Sequence, residues 1–206
     1  MPLQVQLCYI TDRRGLAPVP LIPHLQAAVR ARVDLIQLRE KDLATRELAE
    51  LAGAAVGISR GSATRIVVND RLDIAMAVGA DGIHLGGQSA PPEAVRRQVG
   101  TGFVVGASCH SLDEALQAEA GGADYLLLGP IFDTPSKRRY GPPLGLDKLS
   151  EVAKRTSIPV LALGGITVER VRTCLESGAT GLAGIRLFQD CPSVEDRINE
   201  LRAQFL

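Results

Sequence analysis

The chain has 206 residues and carries 23 basic and 23 acidic side chains, so its formal net charge is zero. Hydrophobic residues make up 46% of it and charged residues 22%, which excludes a globally disordered chain. The balanced charge argues against nucleic acid or an anionic membrane as the main partner, because the chain has no net positive field to attract either. We expect residues 1–206 to form one domain.

The sequence predicts neither a membrane anchor nor an export signal. The longest uncharged apolar stretch, residues 156–168, contains one proline and two glycines and is too short to cross a bilayer. The first five residues include no basic side chain and no long apolar run. The four cysteines are Cys8, Cys109, Cys174 and Cys191. They form no CxxC pair and indicate neither a zinc site nor a disulfide framework, so a reduced, cytoplasmic setting is predicted.

Short aliphatic runs bounded by Gly, Asp or Pro recur along the chain and predict β-strands. The eight predicted strands are 5–11, 33–39, 65–69, 82–85, 103–108, 124–128, 159–164 and 181–187. A segment with helical spacing of apolar residues follows each strand. The predicted helices are 21–31, 44–58, 71–78, 91–98, 111–120, 146–155, 167–176 and 193–205.

This alternation predicts an α/β fold, a single (β/α)8 TIM barrel, with a doubly wound open sheet as the alternative. Aromatic residues are only 3% of the chain, so the core is expected to be aliphatic, as α/β folds require. In a (β/α)8 barrel the chemistry takes place at the carboxyl ends of the strands. Polar residues at those ends are therefore the candidate site.

Strand two ends in polar and cationic side chains on one side of the chain. With a strand period of two, Gln37, Arg39 and Lys41 point the same way. Burying three such groups without an anion is unfavourable, and Arg and Lys are typical phosphate ligands. The pattern predicts a phosphate or diphosphate clamp. The alternative is a set of ion pairs at the rim among Arg39, Glu40 and Asp42.

Strand three ends in Asn69-Asp70. A carboxylate at the barrel mouth could hold Mg²⁺, which prefers one or two carboxylates together with phosphate oxygens of a substrate. Alternatively, Asp70 caps the helix that follows. The residues alone leave both interpretations open.

Strands four and five carry two of the three histidines. His84 lies inside strand four, and a hydrogen-bonded core histidine is the favoured interpretation. Ser108 and His110, at the end of strand five, are candidates for hydrogen bonds to a substrate. His110 could instead cap a helix or support another group.

The last three strands lead into segments typical of phosphate sites. The loop after strand six, residues 129–141, carries hydroxyls and a basic cluster, which predicts a mobile lid over phosphate groups. A solvated basic loop is the alternative. Strands seven and eight end in Gly164-Gly165-Ile166 and Gly184-Ile185-Arg186. Glycine turns at these two places are typical of a backbone phosphate site.

Seven short sequence motifs follow one another in chain order and are spread over nearly the whole chain. They are YITD at 9–12, QLREKD at 37–42, VNDR at 68–71, ADGIHLG at 80–86, GADY at 122–125, LGPIF at 128–132 and ALGGI at 162–166. Together they resemble the thiamin phosphate synthase and thiazole tautomerase family. The resemblance implies a (β/α)8 barrel of thiamin biosynthesis. In the synthase, an aminopyrimidine diphosphate loses pyrophosphate, and the nitrogen of a thiazole phosphate attacks the resulting cation.

The resemblance also implies roles for individual residues. The implied diphosphate ligands are Gln37, Arg39, Lys41 and Asn69, and the implied Mg²⁺ ligand is Asp70. The other implied contacts are Ser108 to the pyrimidine, Thr134, Ser136 and Lys137 to phosphate from the lid, and Gly165, Ile185 and Arg186 to the thiazole phosphate. The catalytic candidates are Lys137, Arg39 and His110.

The chain departs from the family pattern at three places. The synthase usually has a second Mg²⁺-binding Asp just after the His-x-Gly segment of strand four, where this chain has Gly87-Gln88-Ser89. It commonly has Ser where Arg186 stands. The tautomerase has a catalytic His at the place of Pro130, and proline has no proton to transfer.

Three functions are therefore weighed. The synthase is favoured, because the full clamp and the Asn69-Asp70 pair are present. A thiazole tautomerase is the first alternative, with His110 or a group of the substrate replacing the missing histidine. A non-catalytic binder of thiazole phosphate or thiamin phosphate is the second. The expected partners are phosphorylated small molecules, and a homo-oligomer is left open.

Overall fold

The computed structural model describes residues 4–134 and 142–205, in which eight parallel strands close into a barrel. The strands are Leu7–Ile10 (β1), Leu35–Leu38 (β2), Arg65–Asn69 (β3), Gly82–Leu85 (β4), Val104–Cys109 (β5), Tyr125–Leu128 (β6), Val160–Leu163 (β7) and Gly181–Gly184 (β8). Each strand pairs with the next, and β8 pairs with β1. The predicted (β/α)8 barrel is confirmed. The open-sheet alternative is wrong, because an open sheet would leave two edges unpaired.

Helices on the outside connect successive strands. Within the described residues they are Arg13–Leu16 (α1), Leu21–Arg30 (α2), Thr45–Ser59 (α3), Leu72–Val78 (α4), Pro92–Val99 (α5), Leu112–Ala120 (α6), Gly145–Arg155 (α7), Val171–Glu176 (α8), Arg186–Gln189 (α9) and Val194–Arg202 (α10). Short 3₁₀ helices precede α8 at Val168–Arg170 and follow α10 at Ala203–Phe205. None of the described helices is long and apolar enough to span a bilayer.

The sequence prediction was wrong at the end of strand eight. It extended the strand over residues 181–187, but β8 ends at Gly184 and α9 begins at Arg186. A short aliphatic run is equally compatible with a strand or a buried helix. Tertiary packing decides here: the Phe188 ring stacks on Tyr9 with ring centroids 5.3 Å apart. The side-chain amide of Gln189 donates to the Tyr9 hydroxyl at 3.0 Å.

Alternate residues of each strand enter two different layers, as the period of two requires. Cys8, Leu35 and Tyr125 belong to the cluster that fills the inside of the barrel. Their neighbours Leu7 and Ile36 belong to the larger cluster between the strands and the helices. The interior is therefore a packed core and not a channel.

Three aspartates stabilise the amino-terminal end of the barrel. Each directly precedes an even-numbered strand. Its carboxylate accepts a hydrogen bond from a backbone N–H group near the start of the preceding strand. The pairs are Asp34 with Leu7 N at 2.8 Å, Asp81 with Ile66 N at 2.7 Å, and Asp124 with Val105 N at 2.7 Å. They satisfy strand N–H groups at this end of the sheet.

Candidate active site

The candidate site lies at the carboxyl-terminal mouth, where all eight parallel strands end. A hydrogen-bonded chain of side chains crosses from β2 to β3 there. The Gln37 amide donates to Asn69 Oδ1 at 2.9 Å, and Asn69 Nδ2 donates to Asp70 Oδ2 at 2.7 Å. Gln37 is only 2% exposed, and its Oε1 has no hydrogen-bond partner among the described residues. A buried acceptor without a donor is costly, so this oxygen is suited to receive a donor from a ligand.

Asp70 faces the mouth and does not cap the next helix. Its backbone is left-handed, with φ of +61°, a conformation that Asp tolerates better than most residues. The residue at the N-cap of α4 is Arg71, without a side-chain cap. The Asp70 carboxylate instead accepts from Gly86 N at 3.2 Å and from the Ser89 hydroxyl, both in the loop after β4.

The electrostatic surroundings keep Asp70 ionised. Burial raises the pKa of this carboxyl, but hydrogen bonds from Ser89 and Gly86 and the Lys41 ammonium outweigh burial and hold the pKa below its ordinary value. Lys41 Nζ lies 3.8 Å from Asp70 Oδ2. Lys41 and Asp70 therefore meet at the mouth, as a clamp with an adjoining metal ligand would require.

Arg39 does not form the rim ion pairs considered as the alternative. Glu40 is buried and accepts from Arg13 N at 3.0 and 3.2 Å, and Asp42 pairs with Arg14 at 2.9 Å. Among the residues that the structure describes, no carboxylate pairs with Arg39. Its guanidinium, with five N–H donors, remains available to an anion at the mouth.

The prediction of a hydrogen-bonded core histidine is confirmed for His84. It is 1% exposed, its Nδ1 lies 3.0 Å from the Tyr125 hydroxyl, and its Nε2 lies 2.8 Å from Ser108 Oγ. Burial lowers the pKa of His84 to about 3, with a smaller raising effect of Asp70 and a lowering effect of Arg39. The imidazole is therefore neutral at physiological pH.

Tyr125 reaches His84 because β5 has a glycine beside it. A Cβ on Gly106 would lie 2.1 Å from the tyrosine ring. The sequence analysis missed this tyrosine. Its available signal was a polar hydroxyl at an inward-facing position of an otherwise apolar strand.

His110 lies apart from these groups. It is exposed, and both its backbone N and its ring Nδ1 approach Glu114 Oε2, at 2.7 and 3.1 Å. No described contact joins it to the mouth cluster. Its catalytic role stays a prediction without a supporting contact.

The loops after β6, β7 and β8 form the other side of the mouth. Gly165 has φ of +66°, and a Cβ there would lie 2.8 Å from Phe132 Cβ and 2.9 Å from Asp133 O, so only glycine fits this approach. Thr134 Oγ1 donates to Phe132 O at 3.0 Å. Ile185 is the N-cap residue of α9, and the exposed Arg186 is the first residue of that helix. The lid predictions for Ser136 and Lys137 lie outside the described residues.

A cavity of about 610 Å³ opens at the opposite, amino-terminal end of the barrel. It is lined by Asp34 and Arg202, which pair with each other at 3.1 Å. In (β/α)8-barrel enzymes the catalytic residues lie at the carboxyl-terminal end of the strands, whereas polar groups at the amino-terminal end contribute to stability. The mouth at the carboxyl end is therefore the candidate active site, and fold and mouth together define a (β/α)8-barrel enzyme.

Comparison with known proteins gives the family. The model of the family described as thiamine monophosphate synthase matches residues 7–188. A putative thiamine-phosphate synthase of Geobacter sulfurreducens is 41% identical over 96% of this chain and 92% of its own length. A thiamine-phosphate synthase of Roseiflexus castenholzii is 40% identical over 90% of this chain and 82% of its own. The solved thiamine phosphate pyrophosphorylase from Pyrococcus furiosus is 35% identical and has a TM-score of 0.87, covering 98% of this chain and 95% of that one. The chain belongs to the thiamine monophosphate synthase family.

Proposed function

We propose that this enzyme is a transferase that joins an aminopyrimidine diphosphate to a thiazole phosphate, giving thiamin phosphate and pyrophosphate. The observation that carries the proposal is the Arg39 guanidinium, which has no carboxylate partner among the described residues. Arg39 directly follows β2, and Lys41 lies two residues further along the chain. Relatives that are about 40% identical and named thiamine-phosphate synthases support the same reaction.

The proposed chemistry is ionisation of the diphosphate ester followed by attack of the thiazole nitrogen on the pyrimidine cation. The bond between the methylene carbon and the diphosphate oxygen breaks, and the oxygen keeps the electron pair. Cationic donors near that oxygen lower the barrier because negative charge develops there. We propose that Arg39 and Lys41 supply these donors and that Lys137 adds a third cation.

The donor set at Asp70 fits Mg²⁺ held jointly with a substrate. Among the described residues no group of three His, Cys, Asp or Glu side chains could cage a metal. One carboxylate with a neighbouring hydroxyl suits Mg²⁺ that also binds phosphate oxygens and water. Asp70 and Ser89 would hold the ion. When bound, it would neutralise charge on the diphosphate.

The unpartnered Oε1 of Gln37 supports a pyrimidine subsite. A diphosphate has no proton to offer this oxygen, but the exocyclic amine of an aminopyrimidine has. We therefore propose that Gln37 accepts from the amine, with Asn69 fixing its amide. Ser108 is proposed to contact the same substrate.

The thiazole phosphate is proposed to bind on the other side of the mouth. Gly165, Ile185 and Arg186 would hold it through backbone N–H groups and one guanidinium. Arg186 is exposed and pairs with no carboxylate among the described residues, so its charge is available to a phosphate. Thr134 and Ser136 are proposed to bind phosphate, as the resemblance to the family implies.

No observation favours the two alternatives. A tautomerase would need a proton carrier at the mouth, but Pro130 has none, and His110 is paired with Glu114. A cytoplasmic location is proposed as well, supported by four free cysteines, three of them buried.

The proposed reaction is tested by incubating the purified protein with both substrates and Mg²⁺ and separating the products. Thiamin phosphate and pyrophosphate in equal amounts are expected. Interconversion of thiazole isomers without coupling would contradict the proposal. So would a rise in melting temperature with thiamin phosphate in the absence of either reaction, because that result indicates a binder.

A further inference from the structure

A line of three hydrogen-bonding side chains runs from the closed interior of the barrel to the mouth. Tyr125 is fully buried among apolar side chains, His84 is 1% exposed, and Ser108 is partly exposed where β5 ends. The two hydrogen bonds that join them measure 3.0 and 2.8 Å. The direction of these bonds decides what Ser108 can offer to a ligand.

The direction of the two hydrogen bonds follows from the buried end of the line, where the Tyr125 phenol proton needs an acceptor. Burial raises the pKa of Tyr125 well above its ordinary value, so the phenol keeps its proton. Its sole hydrogen-bond partner among the described residues is His84 Nδ1. If Nδ1 carried a proton and donated to the phenol, the phenol proton would be buried without an acceptor. That arrangement is disfavoured by about tenfold or more.

A neutral imidazole has one donor and one acceptor nitrogen. With Nδ1 accepting from Tyr125, the proton is on Nε2, which then donates to Ser108 Oγ. The serine oxygen is occupied as an acceptor on the protein side. Its own proton has no acceptor among the described residues and is free to point into the mouth.

We infer that Tyr125 and His84 are positioning residues that make Ser108 a hydrogen-bond donor to the pyrimidine diphosphate. The inference rests on the proposed function for the identity of that ligand, but the direction of the bonds does not. The atom that receives the proton is an acceptor of this substrate, either a ring nitrogen or a phosphate oxygen. A serine hydroxyl alone could rotate either to accept or to donate a hydrogen bond. The hydrogen bond from His84 fixes the Ser108 hydroxyl as a donor toward the ligand.

The direction is tested first in the resting protein, without substrate. Nitrogen-15 spectra distinguish a protonated from an unprotonated imidazole nitrogen, and the chain has only three histidines. The His84 signals are identified by their loss in His84→Gln. A proton on Nε2 is expected, and a proton on Nδ1 would overturn the inference while leaving the synthase proposal untouched.

Tyr125→Phe removes one hydroxyl and keeps the ring that packs on Gly106. Nδ1 then loses its donor, and a change in the His84 tautomer signals is expected. Tyr9→Phe is the matched control, because Tyr9 is also fully buried and its hydroxyl accepts from Gln189 at 3.0 Å. It should leave the His84 signals unchanged. Equal changes in both variants would indicate a general loosening of the core and contradict the inference.

Kinetics test the positioning role. Ser108→Ala and Tyr125→Phe should each lower kcat/KM for the pyrimidine diphosphate by about tenfold, the value of one hydrogen bond. KM for the thiazole phosphate should not change. The double variant should be no worse than Ser108→Ala, since both changes remove the same donor. Losses of kcat/KM that add up in the double variant, or that are equal for both substrates, would overturn the positioning role of Tyr125 and His84.

Inhibition by inorganic pyrophosphate separates the two acceptors. If Ser108 donates to a phosphate oxygen, Ser108→Ala weakens this inhibition by about tenfold. If it donates to a ring nitrogen, the inhibition is unchanged. If the wild-type protein couples no substrates, the synthase proposal fails and the spectra still decide the direction of the bonds.

Discussion

The Ser89 hydroxyl donates a hydrogen bond to Oδ1 of Asp70, at the segment where the family pattern usually has a second Mg²⁺-binding Asp. A neutral side chain thus stands beside the one carboxylate of the proposed metal site. Ser89→Asp should supply a second anionic ligand and lower the Mg²⁺ concentration for half-maximal activity, by about tenfold. Mg²⁺ titration of the rate measures this.

Ser89→Ala is the matched control for that change. It removes the hydroxyl without adding charge, so it should raise the Mg²⁺ concentration needed for half-maximal activity. If Ser89→Asp and Ser89→Ala shift the Mg²⁺ requirement in the same direction, a carboxylate at this place supplies no metal ligand, and the proposed site is wrong.

Arg39→Ala is expected to weaken binding of the pyrimidine diphosphate much more than binding of the thiazole phosphate. Hydrogen bonds to charged groups contribute enough to raise KM for the diphosphate by roughly ten- to a hundredfold. Steady-state kinetics with each substrate varied in turn measures the two effects. Arg97→Ala, on the exposed face of α5 where it pairs with Glu93, is the control. Equal losses for both substrates would dismiss the clamp.

His84 should make stability depend on pH in the acidic range. Its pKa is about 3 in the folded chain, lowered mainly by burial, against 6.5 as an unperturbed value. Between those values the unfolded state binds more protons than the folded state, so stability falls as the pH is lowered from 6.5 toward 3 and returns as it rises. The slope is at most about 1.4 kcal/mol per pH unit.

Urea unfolding followed by circular dichroism between pH 4 and 7 tests this dependence, roughly within the window that linkage defines. His84→Gln should show a shallower dependence than the wild type. His110→Gln changes an exposed residue and should keep the wild-type slope. Identical slopes for all three proteins would show that the buried imidazole does not titrate as described.

Asp81→Ala should destabilise the barrel without changing its catalysis. The carboxylate accepts from Ile66 N at 2.7 Å at the amino-terminal end, far along the strands from the mouth. Losing an acceptor for a strand N–H costs about 1–2 kcal/mol of the free energy of unfolding. Urea unfolding gives this value, and kcat/KM should be unchanged.

Asp73→Ala serves as the comparison for Asp81→Ala. Asp73 is also an aspartate, but it pairs with Arg71 on the surface at 2.6 Å. Its loss should cost less, because exposed ion pairs contribute about 0–1 kcal/mol. A larger loss in Asp73→Ala would remove the special role given to the strand-end aspartate.

Much of the fold could be predicted because strand and helix periods differ. Strands β3 and β4 were predicted at 65–69 and 82–85, the bounds they have in the structure. The prediction failed at residues 185–187, because the aliphatic run of β8 ends at Gly184 and Arg186 already begins α9. Packing of Phe188 on Tyr9, residues far apart in the chain, decides that break, and no local pattern contains it.

The sequence by itself determined the barrel, the polar strand ends and the kinship of the chain, since these depend on period, residue type and order. Only the tertiary structure decided that Asp70 faces Ser89 and leaves the next helix uncapped, and that Arg39 is free of Glu40. It alone decided that Tyr125 reaches His84. The physical reason is that hydrogen bonds and ion pairs depend on distance and direction between separate strands, and a linear pattern contains neither.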